Sequence, residues 1–171
     1  MISSRRVLAW TGVLAGLLVF CSFAVHPFGS LEDAKAQINS SASLNPPPEV
    51  AAVLRRSCMD CHSNRTIWPW YSHVAPVSWL VERDVRRGRD HLNFSEWNTY
   101  NFQEQSRLLA DVASAVKNRE MPLAQYAWIH HASLSDAETD LVYQWARAER
   151  RKLRATLPKR EYLPGGISTG Q

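Results

Sequence analysis

Cysteine is scarce in this chain, three among 171 residues, and the count is odd. Two of the three stand close together at Cys58 and Cys61, so no disulfide framework is implied. The same scarcity speaks against zinc. A zinc centre needs a second pair of Cys or His at ligand spacing, and only scattered His residues and Cys21, inside an apolar run, remain. Methionine is as rare, with Met1 at the start, Met59 between the two cysteines, and Met121. No alternating apolar and polar stretch of useful length occurs, and no internal repeat, so strands and solenoids are not expected. The charge of +4 is too mild to argue for a nucleic-acid partner, which would want a concentrated basic stripe. Paired acidic residues suited to acid–base catalysis do not stand out. What is plentiful is tryptophan and proline, seven and nine residues in a chain otherwise of ordinary globular composition. Such an excess suits a wall around something large and flat. The length allows one domain with an appendage.

The chain is organised around Cys58-Met59-Asp60-Cys61-His62. Two thiols separated by two residues and followed at once by an imidazole are the pattern of covalent c-type haem attachment. One helical turn brings both thiols to the same edge of a porphyrin, where they add to its vinyl groups, and the next residue, His62, reaches the iron. A thioredoxin-like dithiol would sit beside a strand–helix–strand pattern, and none is present. The sixth position on the iron decides between electron transfer and small-molecule chemistry. Met121, just before Pro122, is the candidate distal ligand once Met1 and Met59 are set aside. A gap-filling core methionine is the alternative, and His130 and His131 are rival ligands. His73 and His91 are read as ordinary residues and not as iron ligands.

Before the motif, Arg5-Arg6 precedes an uncharged run from Val7 to Val25. At 1.5 Å per residue this run approaches the roughly 30 Å of a hydrocarbon core, so residues 1–25 read as a membrane anchor. Arginines on its N-terminal side set its orientation, with the rest of the chain exported. A removable signal segment is the alternative, since Ser22-Phe23-Ala24 resembles a cleavage site. Residues 26–48, with Pro46-Pro47-Pro48, read as a linker. Helices are expected over Glu49–Ser57, over Pro76–Arg87 with Gly88 as the stop, over Gln103–Lys117, and after the capping box Ser135-Asp136-Ala137-Glu138. The expected buried stripes are Val77, Leu80, Val81 and Val85; then Leu108, Leu109, Val112 and Val116; then Leu141, Val142, Trp145 and Ala148. The fold class is all-α, with a helical domain over residues 49–163 and a disordered tail over 164–171.

Trp68, Trp70, Tyr71, Trp79, Trp97, Tyr126 and Trp128 are candidates to line a haem crevice, with ordinary core packing as the alternative for each. Pro69, directly or through its neighbour, is a candidate to supply the carbonyl that fixes the ring tautomer of His62. The run Arg147, Arg150, Arg151, Lys152, Arg154, Lys159 and Arg160 reads as a solvated helix face or as a docking surface for an acidic partner or anionic lipid. No clear distal acid or base accompanies the motif, which argues against a peroxidase.

From Pro46 to about Leu163, roughly two thirds of its length, the chain resembles the haem-binding domain family of bacterial cytochrome c-like proteins. The matching stretches are Cys58-Met59-Asp60-Cys61-His62-Ser63-Asn64, Trp68-Pro69-Trp70-Tyr71, Ala75-Pro76-Val77-Ser78-Trp79, Leu92-Asn93-Phe94-Ser95-Glu96-Trp97 and Met121-Pro122. The resemblance implies a cytochrome c-like helical fold in which the helix before the motif, Glu49–Ser57, packs across the last, Ser135–Arg150. It also implies a single-pass inner-membrane anchor with the haem in the periplasm, or a soluble periplasmic form after signal cleavage. The expected protein carries one covalent haem c held by Cys58, Cys61, His62 and Met121 and passes electrons to an unidentified partner. A haem enzyme, or a sensor of gas or peroxide with a displaceable distal ligand, is the alternative. A haem-bearing subunit of a larger complex, its cofactor mainly structural, is a third.

Overall fold

A computed structural model describes residues 4–24 and 44–156. The expected linker, apart from Leu44–Pro48, and the expected tail lie outside the described residues, as do Lys159 and Arg160. Seven α-helices and two short 3-10 helices make up the ordered structure of the described residues, with no strand among them. The all-α expectation is met. The membrane-spanning helix is not: α1 runs over Ser4–Ala24, yet among the described residues no helix is long and apolar enough to cross a membrane. This finding overturns both the anchor and the single-pass inner-membrane placement inferred from it.

The chain divides into two compact units, one of Met1–Ser43 with Cys58–Glu96, the other of Leu44–Ser57 with Trp97–Gln171. In the first, α3 (Met59–His62) and a 3-10 turn (Trp70–His73) both pack against α4 (Val77–His91). α4 departs from its sequence pattern twice. It runs through Gly88 instead of stopping there, and its C-terminal carbonyls are closed by Leu92 N–H donating to Gly88 O at 2.9 Å. A mid-helix glycine costs about 1 kcal/mol relative to alanine. Here it is needed, because a Cβ at position 88 would lie 2.6 Å from the Cys61 carbonyl oxygen. The buried face also takes in only part of the expected apolar stripe. Ser78, Glu82 and Val85 are buried, whereas Val77 and Leu80 remain 42% and 41% exposed.

The second unit is built on α5 (Phe102–Lys117) and α7 (Asp136–Ala155), which pack together, and on α2 (Pro48–Ser57), which packs against α7. The α2–α7 pairing is the one the resemblance implied. α5 buries Leu108, Leu109, Ala113 and Val116, α7 buries Val142, Trp145 and Ala146, and α2 adds Val50, Val53 and Leu54. Each fully buried Val or Leu contributes about 1.5–3 kcal/mol relative to an exposed one. Both long helices begin with a reciprocal capping box. Ser135 Oγ accepts from Glu138 N–H while Glu138 Oε2 accepts from Ser135 N–H, and Asn101 and Glu104 do the same for α5. Arg56 of α2 pairs with Glu138 at 2.9 Å and reaches the Ser133 carbonyl, joining α2 to the start of α7. α6 (Ala124–Ile129) lies between α5 and α7 in the chain and follows from no feature of the sequence pattern.

Candidate functional site

α2 delivers the chain to Cys58, and a single turn follows in which His62 N–H donates to the Cys58 carbonyl at 3.0 Å. That turn places Cys58 and Cys61 three residues apart on one side of α3, both half-buried and not joined by a disulfide. Burial pushes the Cys61 thiol up to about 11, with Asp60 and Asp84 adding to the effect and Arg89 opposing it. The dithiol reading lacks the strand–helix–strand setting it would need, since no strand occurs among the described residues. Zinc fares no better, since among the described residues no three His, Cys, Asp or Glu side chains gather to hold a metal ion.

His62 is held by a backbone carbonyl. Its Nδ1 lies 2.9 Å from Leu92 O, and because a carbonyl can only accept, Nδ1 carries the proton and Nε2 keeps its lone pair for a metal. Burial depresses the imidazole below its ordinary value, so the neutral, ligating form is favoured; the bond to Leu92 partly offsets this. Leu92, not Pro69, supplies this carbonyl. Pro69 O is engaged by Ser72, accepting from its N–H at 2.9 Å and its hydroxyl at 2.6 Å.

The residues after His62 are tied to the end of α4. Arg89 donates from Nε to Ser63 O at 2.9 Å and from Nη2 to Thr66 Oγ1 at 2.8 Å, while Thr66 Oγ1 donates to Asp60 O. Asp60 Oδ1 accepts from Ile67 N–H at 3.1 Å. Asn93 Nδ2 bridges Asn64 Oδ1 and Glu96 Oε1 at 2.8 and 3.0 Å, and Asn64 N–H donates to Ser95 Oγ at 3.0 Å. Sequence spacing does not disclose Gly88, Arg89 or Leu92 as part of this site, some thirty residues from the motif. The one signal is the stretch Leu92–Trp97, which carried part of the resemblance.

Cys58, Cys61 and His62 thus come together in the first unit, whereas Met121 belongs to the second. Met121 follows α5 in a turn where Glu120 and Met121 N–H groups both donate to Ala115 O. Arg119 pairs with Asp136 and Lys117 with Asp140, fastening that turn to α7. Met121 is 37% exposed, so it is not the gap-filling core methionine of the alternative reading. Of the rival ligands, His130 stacks on Tyr126 with ring centroids 4.4 Å apart, and His131 is exposed. Among the aromatic candidates Trp97 is a core residue, while Trp70 and Trp128 are exposed. In the basic run, Arg147 binds Tyr143 Oη, Arg150 binds Ser106 and Lys152 binds Glu149.

A family model described as a haem-binding domain matches residues 17–148. The chain belongs to the haem-binding domain family. A search of curated proteins returned no match, and neither did a search of solved structures. The residues of this haem-binding domain fit the group. Exposed apolar side chains lie on the loop after the motif (Ile67, Trp70) and on the outward face of α4 (Val77, Leu80), as a broad apolar ligand requires.

Proposed function

We propose that this haem-binding domain carries one haem c and serves as an electron carrier. The observation that carries the reading is the pairing of His62 Nδ1 with Leu92 O in the residue directly after two half-buried thiols, which leaves Nε2 as a ready iron ligand. Cys58 and Cys61 each form a thioether by addition across a vinyl group, sulfur bonding to one carbon and the thiol proton going to the other. His62 and Met121 are the residues that would hold the iron. Bound haem supplies a one-electron iron couple whose potential depends on axial ligands, hydrogen bonding and burial. The chain's own work is to hold His62 in one tautomer and to cover the ring with apolar side chains.

The exposure of Met121 favours a second reading, in which its thioether is displaced by a small ligand such as carbon monoxide, nitric oxide or peroxide. Optical spectroscopy of the purified full chain separates the two. The carrier shows a low-spin spectrum in both oxidation states and binds carbon monoxide slowly, and Met121→Ala turns the iron high-spin. An unchanged spectrum in Met121→Ala removes this residue from the site. Rapid carbon monoxide binding by the unaltered protein establishes the second reading instead.

A further inference from the structure

Four residues at and just past the end of α4 converge on the attachment segment. Gly88 presents bare backbone to Cys61, since any Cβ there would meet Cys61 O at 2.6 Å and Cys61 Cβ at 3.0 Å. Arg89, half-buried, holds Ser63 O and Thr66 Oγ1 through two guanidinium nitrogens. Leu92 O accepts from His62 Nδ1, and Asn93 binds Asn64. Ser63 itself is buried, with its hydroxyl donating to Met59 O at 2.7 Å and accepting from Arg65 N–H at 3.1 Å. Every residue from Asp60 to Ile67 with a polar contact named above is therefore fastened either within the segment or to the last turn of α4 and the residues just after it.

We propose that the C-terminal end of α4 is a preformed clamp on the haem-attachment segment, in which Gly88 and Arg89 are positioning residues that set the strength of the His62–Leu92 hydrogen bond. The clamp acts without touching the ring. Gly88 lets α4 approach closely enough for Leu92 O to reach His62, and Arg89 fixes the exit of the motif so that the imidazole cannot swing away. A strong hydrogen bond to Nδ1 makes the imidazole a better donor to iron and favours the ferric state. A looser clamp therefore raises the midpoint potential. This inference rests on His62 as the axial ligand of the proposed function, and its two measurements separate the two ideas.

The first measurement is amide hydrogen exchange across residues 60–67 on the full chain as purified, whether or not it bears haem. Arg89→Gln should speed exchange at Arg65 and Ile67 about tenfold, the factor expected for loss of a charge-assisted hydrogen bond, with Arg89→Lys restoring part of the protection. The second is the midpoint potential, which rises in Gly88→Ala and in Arg89→Gln, together with a lower ferrous iron–imidazole stretching frequency when either substitution is combined with Met121→Ala, which frees the sixth position. Where Gly88→Ala fails to fold, Arg89→Gln decides, because it adds no atom against Cys61. Unchanged exchange in Arg89→Gln overturns the clamp. Faster exchange with an unmoved potential and stretching frequency overturns the link to His62. A chain that bears no haem defeats the proposed function while leaving the exchange measurement intact.

Discussion

At the scale of single residues, the attachment segment shows how environment selects among the chemistries a side chain offers. Cys61 has the composition of a redox thiol and the surroundings of an inert one, because burial and two nearby carboxylates disfavour its thiolate. With the thiol pushed up to about 11, the thiolate population at pH 8 is roughly a thousandth of the whole. Alkylation of Cys61 by iodoacetamide in chain that has not acquired haem should therefore be about a hundredfold slower at pH 8 than that of an ordinary cysteine, and should accelerate tenfold per pH unit toward pH 11. Mass spectrometry of the alkylated peptide reads both rates. A pH-independent rate, or one that levels off near pH 8.5, would contradict the burial argument. His62 is likewise decided by its neighbour, since the Leu92 carbonyl dictates which nitrogen keeps its proton.

At the scale of elements, helix ends carry much of the specificity. Glu138 closes the capping box of α7 and receives Arg56 from α2, and the Arg56 guanidinium is the chief reason its carboxyl falls from 4.5 to about 2. A depressed carboxylate stabilises the fold above its unfolded value near 4.5, and that contribution is lost as the pH falls toward about 2, because the unfolded chain then binds the extra proton. Arg56 is 42% exposed, so solvent screening limits the effect to about 1 kcal/mol at most. The urea midpoint should fall between pH 5 and pH 3 more steeply in the unaltered chain than in Glu138→Gln, which can still accept from the Ser135 N–H. Parallel slopes would show that the ion pair is not formed in solution. α4 teaches a different lesson. Of its expected stripe Val85 is buried, but Val77 and Leu80 face outward while Ser78 and Glu82 are buried, which periodicity alone does not foresee. Hydrophobic spacing locates an apolar face but not what that face meets.

At the scale of the whole molecule, a chain of two compact units carries its proximal candidate in one and its distal candidate in the other. Anything that binds the folded state and not the unfolded one adds stability, and a covalent link keeps it bound throughout. Replacing both thiols, Cys58→Ala with Cys61→Ala, should abolish haem staining on a denaturing gel and lower the melting temperature by several degrees, read by circular dichroism. Persistent haem on the denaturing gel would show that attachment does not run through these thiols.

What the chain's linear pattern determined is considerable: the helical class, the capping box at Ser135, the approximate helices over residues 49–57, 103–117 and 135–150, and a motif that points to haem. All of these are local, set by residues within one or two turns of each other, and local spacing is what a sequence displays. The membrane-spanning reading of the N-terminal run did not survive, because no described helix has the apolar length to cross a membrane. The clamp around His62 belongs to the tertiary structure alone. It joins residues some thirty positions apart through backbone carbonyls and the missing side chain of Gly88, and neither a carbonyl nor an absent Cβ leaves a mark in the pattern of residue types.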